Sequence, residues 1–306
     1  MNLRITAGTE GRRARAFTLV ELLVVISIIG LLMFIAVPAF KGFGRSNVMS
    51  AAQQQLRDDL SFARQQAITH RSPVYMVFFM PPNDFRGDFS TELNNLHTSL
   101  LNLPTGNDYD RQYREVSLRA FTNTFPKQFA SYALYTEGNV GEQPGVKVGR
   151  FLTDWRALPE GALFPTNGME VLLPSWVSGL NSQIIATNLN SRTFPFPIAP
   201  ERFSPEAAKR IKLELPALAF DSQGRLFNFD VNGRAINNGT TLADRYVAVG
   251  AGSVLLSRHR VNKGEPERFD FLIAADVVET PKRNYTNHIV RVSALTGRAK
   301  SLKPAP

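Results

Sequence analysis

A single acid, Glu21, lies near the start of a long apolar stretch and is the first residue whose chemistry needs an explanation. The stretch runs from Phe17 to Phe40 and contains no other charged side chain. A carboxylate costs about 2.5–3.5 kcal/mol at the centre of a membrane segment, and less near the interface. An acid inside such a segment is a candidate functional residue, and Glu21 is therefore one.

The other titratable residues lack the spacing that catalysis or metal binding requires. The histidines follow no H-E-x-x-H or comparable ligand pattern, which predicts structural or surface roles; they are His70, His97, His259 and His288. Asp58 and Asp59 are adjacent, and on a helix they would point about 100° apart, so they cannot share a proton or a water. The chain has no cysteine and no G-x-S-x-G motif. We therefore expect no catalytic residue, no metal, no cofactor and no enzyme activity.

The basic carboxy terminus is a second candidate site. It contains Gly297-Arg298-Ala299-Lys300 and then Lys303. Basic side chains of this kind contact phosphates and make nucleic-acid binding depend on salt. The net charge of +9 falls to +6 when the four arginines and one glutamate of residues 1–16 are set aside. That charge is compatible with lipid or nucleic acid as a partner, but the ordinary basic surface of an exported domain explains it more simply.

The apolar stretch predicts a transmembrane helix, because its 24 residues exceed the roughly 20 that cross a bilayer core. Residues 1–16 form a basic leader, which predicts a cytoplasmic amino terminus and an external remainder. A secretory signal peptide would have a shorter apolar region and a small-residue cleavage site, which Pro38 to Lys41 do not provide. An ordinary membrane anchor explains the length but gives no reason for Glu21.

The string AFTLVE at residues 16–21, followed by an apolar helix interrupted at Pro38, resembles the amino terminus of type IV pilins and type II secretion pseudopilins. The resemblance implies that a prepilin peptidase cuts between Ala16 and Phe17 and methylates the new amine of Phe17. It also implies that Glu21 pairs with the terminal amine of a neighbouring subunit in a filament. The implied partners are the peptidase, other pilins or pseudopilins, an inner-membrane assembly platform and the lipid bilayer. One position departs from the family, because Ala16 stands where glycine is usual.

A second helical segment continues the first. Pro38 lacks a backbone donor and predicts a kink. Apolar residues then recur every three or four positions over 41–72; they are Val48, Ala52, Leu56, Leu60, Ala63 and Ala67. Pro73 disfavours helix in the residue before it, so the helix should end at 69–72. We expect one kinked stalk helix that spans the membrane over 17–40 and is amphipathic over 41–72.

Residues 73–306 predict a β-rich head, which gives an α+β fold with mainly antiparallel strands. The apolar residues Val74–Met80 are typical of a strand. Further strands are predicted at 129–137, 146–152, 211–215, 217–220, 225–229, 246–249, 254–256, 271–274 and 288–292, with a hairpin turn at Asn232-Gly233. Ser204-Pro205 predicts a helix start. Residues 81–128 have few periodic features and 165–200 are loop-like, so a loop-rich insertion is expected over about 81–215.

Three further strings resemble the GspH/FimT group of minor pilins: ARQQAITHRSPVYMVFF at 63–79, LPALAFDSQGRLF at 215–227 and HIVRVSALTGRAK at 288–300. The resemblance implies a pilin-like fold, a single-pass bacterial inner-membrane protein with a periplasmic head, and the role of a minor pseudopilin. Such a subunit builds the periplasmic pseudopilus that drives type II secretion. The alternative is a minor pilin of a type IV pilus or competence system, where a basic G-R-x-R tail is associated with DNA binding. Arg298 and Lys300 would make that contact here, although lysine lacks the planar fork of arginine.

Overall fold

The computed structural model describes most of the chain after residue 18. The described residues are 19–82, 89–138, 149–166, 170–173, 183–186, 189–196, 211–230, 232–236, 243–260, 267–280 and 288–302, and side chains are described in all of these except 34–46, 170–173 and 183–186. The chain divides into two compact units, Met1–Ser46 and Asn47–Pro306.

The described residues form α-helices and short antiparallel strands, so the predicted α+β class is confirmed. The helices are α1 (Leu19–His70), α2 (Phe89–Leu101) and α3 (Asp108–Thr124), and a single 3-10 turn follows at Phe125–Lys127. The strands of the first half are β1 (Val74–Phe78), β2 (Ser131–Thr136), β3 (Arg150–Phe151), β4 (Arg156–Ala157), β5 (Ala162–Leu163), β6 (Glu170–Leu173), β7 (Gln183–Ala186) and β8 (Asn190–Pro195). The strands of the second half are β9 (Lys212–Phe220), β10 (Leu226–Phe227), β11 (Arg245–Ala248), β12 (Gly250–Leu255), β13 (Arg258–His259), β14 (Arg268–Phe269), β15 (Asp276–Glu279), β16 (Ile289–Val292) and β17 (Ala299–Leu302).

The second half of α1 packs one face into the core, as its spacing predicts. The residues of that face are buried, and they are Met49, Ala52, Leu56, Leu60, Ala63 and Ala67. The helix ends at His70, in agreement with the expected effect of Pro73. Its end is closed by two backbone hydrogen bonds, from Arg71 N to Ile68 O at 3.4 Å and from Ser72 N to Ala67 O at 3.3 Å. Arg71 takes the left-handed conformation, with φ of 49°, that this helix ending needs.

The largest sheet is centred on β1. The strand order is β10-β9-β1-β2-β3, with β4 also on β2 and β8 also on β9, and every pairing is antiparallel. Tyr75 lies opposite Tyr135 on one side and Ala219 on the other. Because successive side chains of a strand point to opposite faces, β1 supplies two different cores.

Both faces of β1 are covered. Val74, Met76 and Phe78 join the core that contains the buried face of α1. Tyr75 and Val77 join a second core on the opposite face, built from α2, α3, β8 and β9. A strand buried on both faces needs an uninterrupted apolar run, which is what its sequence contains.

The prediction of a loop-rich insertion is wrong over 89–101 and 108–127, which are helical. Helix α2 buries Leu93, Leu96 and Leu100 in the second core, and Phe121 and Phe125 follow from α3 and the 3-10 turn. The physical reason is that the second face of the sheet is apolar, so the fold is stable only if other elements cover this face and remove it from contact with water. The leucines are three and four residues apart, which is the helical signal that the sequence analysis missed.

Other head elements were predicted with mixed success. The strand expected at 271–274 is wrong, because Phe271–Ile273 form a turn between β14 and β15. The loop-like assignment of 165–200 is wrong where β6, β7 and β8 form, and β8 joins the main sheet. The turn at Asn232-Gly233 is confirmed, with Asp230 N bonded to Arg234 O at 2.9 Å. The helix start predicted at 204–205 lies outside the described residues.

The predicted membrane segment begins two residues before the described part of the chain. Within that part, no helix has a long enough apolar stretch to qualify as a membrane span. The helical backbone of α1 includes Pro38. The kink expected at that residue stays a prediction.

His97 makes the second core sensitive to acid. Its ring lies against Phe121, with centroids 5.4 Å apart, and against Phe271 at 4.3 Å. Burial lowers the pKa of His97 below its ordinary 6.5, so the folded state binds the proton more weakly than the unfolded chain.

We expect the free energy of unfolding to fall as pH drops below about 6.5 and towards the lowered pKa of folded His97. The His97→Gln variant should show a shallower loss of urea midpoint over that window. His288, whose pKa burial also lowers, contributes in the same direction and should account for part of the remaining slope. An identical slope in His97→Gln and the native chain would contradict this assignment.

Candidate functional sites

Between Leu19 and Met33, α1 has apolar side chains around its whole circumference, and Glu21 is the one charged residue of that range. In the isolated chain every described side chain from Leu19 to Met33 is exposed, with exposed fractions of its large apolar residues between 46% at Val25 and 79% at Leu19. The hydroxyl of Ser27 donates to Leu23 O at 2.8 Å, so this polar group is satisfied within the helix. A helix that is apolar all round is stable in a membrane or inside a bundle, and not in water.

Glu21 lies in the first turn of α1 and is the acid that the sequence analysis selected. A carboxylate is favourable there because it faces the positive end of the helix dipole. Ala16 and Phe17, the residues of the expected cleavage and methylation site, lie outside the described residues. The pairing role of Glu21 and the processing at Phe17 therefore stay predictions.

Two turns that each contain a Gly-Arg pair, Gly224-Arg225 and Gly297-Arg298, meet beside α1 although they are 73 positions apart in the sequence. A Cβ placed on Gly297 would lie 1.9 Å from the carbonyl oxygen of Gly224, so the two turns are in backbone contact. Arg64 of α1 donates from Nε to Thr296 O at 2.7 Å and closes the contact. Sequence reasoning had not connected Arg64 with either turn.

The predicted DNA-contact residues belong to this surface. Arg298 and Lys300 are both exposed, the first in the turn and the second on β17. Lys300 lies opposite Arg291 in the β16–β17 register, and Arg291 is paired with Asp244. Arg225, in the other turn, is paired with Asp221 at 2.9 Å. The structure thus adds Arg64 to the basic group near Arg298.

A nine-residue tandem repeat contains the first of these turns. Residues 220–228 are FDSQGRLFN and residues 229–237 are FDVNGRAIN. Each repeat contains a turn of its own. In these turns the Asp221 and Asp230 carboxylates accept hydrogen bonds from the backbone N–H groups two and four residues later, at 2.8–2.9 Å. Gly224 and Gly233 both have positive φ, at 75° and 77°. A search for internal repeats would have found this duplication, which the sequence analysis did not use.

The turn of the second repeat, which contains Gly233, lies against a buried ion pair. Arg192 and Glu137 pair with side chains only 11% and 15% exposed, and a Cβ on Gly233 would meet the Arg192 guanidinium at 2.3 Å. The guanidinium also lies 4.9 Å from the centre of the Tyr75 ring. Burial, and after it the Glu137 charge, raises the pKa of Tyr75, so this phenol stays protonated. The cluster contains no activated nucleophile, and its geometry is that of a structural clamp.

Asp58 and Asp59 point in different directions, as predicted, and only Asp59 takes part in a second clamp, which joins α1 to the sheet. Asp58 is exposed and pairs with Arg57 at 3.0 Å. Asp59 is buried and accepts from the Tyr132 hydroxyl at 2.5 Å, and it also pairs with Arg156. In the described part of the chain, no group of three or more His, Asp or Glu side chains is arranged to hold a metal ion.

Replacing Gly297 with alanine should destabilise the head by at least about 2 kcal/mol. The residue has φ of 62°, which a side chain disfavours, and the new Cβ would collide with the Gly224 backbone. Gly106→Ala is the matched control, because no atom lies within 4 Å of a Cβ built there, and it should change stability by less than about 0.5 kcal/mol. Equal urea midpoints for the two variants would show that the turns are not in contact.

One comparison with known proteins gives a match. Residues 11–37 match the family described as "Prokaryotic N-terminal methylation motif", which is the motif of type IV prepilins. The match covers under a tenth of the chain and includes Ala16, Phe17 and Glu21. No curated protein and no solved structure matches the chain. The motif supports a type IV pilin-like or pseudopilin protein, and it implies processing by prepilin peptidase and assembly with other pilins.

Proposed function

We propose that the chain is a minor pseudopilin, a structural and non-enzymatic subunit of the periplasmic pseudopilus that serves type II secretion. The observation that carries the proposal is the methylation motif over 11–37, with Glu21 at the start of an apolar helix. The helix is anchored in the inner membrane before assembly, with the head in the periplasm. The peptidase removes residues 1–16 and leaves the amine of Phe17 as the new terminus.

The apolar residues 19–33 of α1 suit this helix both to lipid and to a bundle of similar helices. The helix therefore moves from the lipid into the bundle when the filament assembles. Its exposed side chains have no polar face that would fix it at a water interface. Lipid and apolar helices solvate such a surface about equally well, so packing and polar contacts decide the association. A charge pair between Glu21 and the Phe17 amine of a neighbour supplies that contact and sets the register.

The narrower assignment to a minor subunit rests on the resemblance of the helix end and the two Gly-Arg turns to the GspH/FimT group. It is supported by the packing of those three strings against one another through Arg64, Gly224 and Gly297.

Cysteine crosslinking tests the proposal, because the chain contains no native cysteine. Leu31→Cys places a unique thiol on the apolar helix, and the other pseudopilins of the same cell carry one at the matching helix position. Oxidation should give disulfide-linked pairs only when the peptidase is present. Ser253→Cys, on the exposed surface of the head, is the control. If Leu31→Cys forms no more pairs than the control, the chain does not assemble through this helix.

A second function, DNA contact by a competence-type minor pilin, is favoured by one observation. Arg64 lies beside the turn that contains Arg298, which makes a basic group larger than the tail alone, while Arg225 on the adjoining turn is paired with Asp221. Phosphate contacts predict binding whose logarithm falls linearly with the logarithm of salt. Replacing Arg298 by Gln should lower that slope by about 0.7–0.9. Binding by the full chain in detergent that is absent, or insensitive to salt, would exclude this alternative.

A further inference from the structure

The end of α1 and the turn before β17 form a surface on which cations lie beside exposed apolar side chains. Arg64 donates from Nε to Thr296 O at 2.7 Å, which fixes the arginine against the turn. Leu295, the preceding residue of that turn, is 78% exposed, and Ile68, one helical turn beyond Arg64, is also exposed. Arg298 follows the turn and is exposed as well. We call Arg64, Ile68, Leu295 and Arg298 the basic surface.

The cations of the basic surface have no acid of their own. In the described part of the chain, Arg64 and Arg298 form no ion pair, and neither does Lys300 on β17. The nearby Asp221 is already paired with Arg225, at 2.9 Å. A surface of this kind is complementary to a partner that brings both a carboxylate and apolar side chains.

Strands β12 and β15 of the same chain present such a partner surface. Leu255 lies opposite Asp276, and Ser253 lies opposite Val278, so the four side chains share one face of the strand pair. All four are exposed. The two strands together contain two acids and no basic residue. Asp276 forms no ion pair with any described residue. We call Leu255, Asp276 and Val278 the acidic surface.

The two surfaces lie near opposite ends of the part of α1 that belongs to the head. Beside the acidic surface, Gly252 N donates to Gly161 O at 3.0 Å, and a Cβ on Gly161 would lie 4.0 Å from Val48 of α1. At the basic surface, a Cβ on Gly224 would lie 3.0 Å from Arg64. Val48 and Arg64 are sixteen positions apart, or about 24 Å along the helix axis. The two surfaces are therefore available to different copies of the chain.

We propose that the basic surface of one copy of this chain binds the acidic surface of the next copy. Leu295 then packs between Leu255 and Val278. Arg298 faces Asp276 across the contact. The contact joins two different surfaces, so it repeats from copy to copy in one direction, as a filament requires. Two adjoining copies are enough to form it.

This inference rests on the proposed function, in which membrane anchoring and filament assembly bring the heads of neighbouring subunits together. Each surface is small, and a small surface suffices only where a tether supplies a high effective concentration. Nucleic acid is the less suitable occupant of the basic surface. Phosphates would leave Leu295 and Ile68 in water, and the basic surface has no aromatic side chain on which a base could stack.

Crosslinking of the full chain in membranes tests the contact, because the chain contains no native cysteine. One copy carries Leu295→Cys, a second copy with a different tag carries Val278→Cys, and a short bis-maleimide links thiols that come close. These mixed pairs should exceed the pairs that Leu295→Cys forms with Leu101→Cys, an exposed position on α2. They should also exceed the pairs that two Leu295→Cys copies form with each other, because the contact joins unlike surfaces.

Charge reversal locates the contact at Arg298 and Asp276. Arg298→Glu in the copy with Leu295→Cys should lower the yield of mixed pairs at least about tenfold, because it places two acids together. Asp276→Arg in the copy with Val278→Cys should do the same, because it places two cations together. When both reversed copies are combined, the yield should recover, which a folding defect in either variant would not allow.

Four results would overturn the proposal. They are mixed pairs no more frequent than the controls, no recovery when the reversed copies are combined, capture of a different protein by Val278→Cys in place of the second copy, and salt-dependent DNA binding through Arg298 without mixed pairs. The Leu31→Cys experiment reports assembly through the helix separately. Leu31→Cys pairs without mixed pairs would overturn the head contact alone, whereas mixed pairs without Leu31→Cys pairs would support the head contact and contradict the proposed function.

Discussion

Replacing Glu21 with alanine is expected to leave the protein in the membrane and to lower its incorporation into filaments by at least about tenfold. Loss of one partner from a buried ion pair costs about 3–5 kcal/mol, which is more than a tenfold change requires. The apolar surface of Leu19 to Met33 is unchanged by the substitution, so membrane insertion should persist. The measurement is the ratio of filament-associated to membrane-associated protein in cells that express the complete secretion system.

Two further variants make this test specific to the carboxylate. Ser27→Ala removes a hydroxyl that donates a hydrogen bond only within the same helix, to Leu23 O, so this variant should assemble normally. Glu21→Asp keeps the charge on a shorter stem and should assemble to an intermediate extent. Normal assembly of Glu21→Ala would mean that the acid does not set the register between subunits.

Replacing Glu137 with glutamine is expected to destabilise the head by about 3 kcal/mol, because the Arg192 guanidinium is then left buried without a counter-charge. The cost should appear as a lower urea midpoint with an unchanged slope, since the folded state keeps its surface. Asp108→Asn removes the acid of an exposed pair, in which Arg111 and Asp108 are 58% and 85% exposed, and should cost less than about 0.5 kcal/mol.

A double variant separates the charge effect from simple loss of packing. Arg192→Met alone leaves Glu137 buried and unpaired, so it should also be strongly destabilising. Combined with Glu137→Gln, it removes both charges and should recover a large part of the loss. If the double variant is as unstable as the sum of the two single ones, the clamp acts through packing and not through charge.

The parts of the fold that the sequence predicts are those fixed by local rules. The helix end at His70 follows from Pro73, and the buried face from Ala52 to Ala67 follows from helical spacing. The uninterrupted apolar run of β1 also implied that both of its faces are covered. That signal, together with Leu93, Leu96 and Leu100, would have placed a second helical layer where a loop was expected.

The parts that the sequence could not supply depend on contacts between distant residues. Arg192 and Glu137 are 55 positions apart, and nothing near either residue specifies the other. The meeting of the two Gly-Arg turns with Arg64 likewise depends on how α1 packs on the sheet. Glu21 is the opposite case, because its position is evident from the sequence while its proposed partner belongs to another chain.

The most direct test of the central claim is the intact mass and amino-terminal sequence of the protein isolated from cells that express prepilin peptidase. The account predicts a chain that begins at Phe17, has lost residues 1–16 and carries one methyl group on the Phe17 amine. A chain that keeps residues 1–16, or that begins elsewhere, would contradict it.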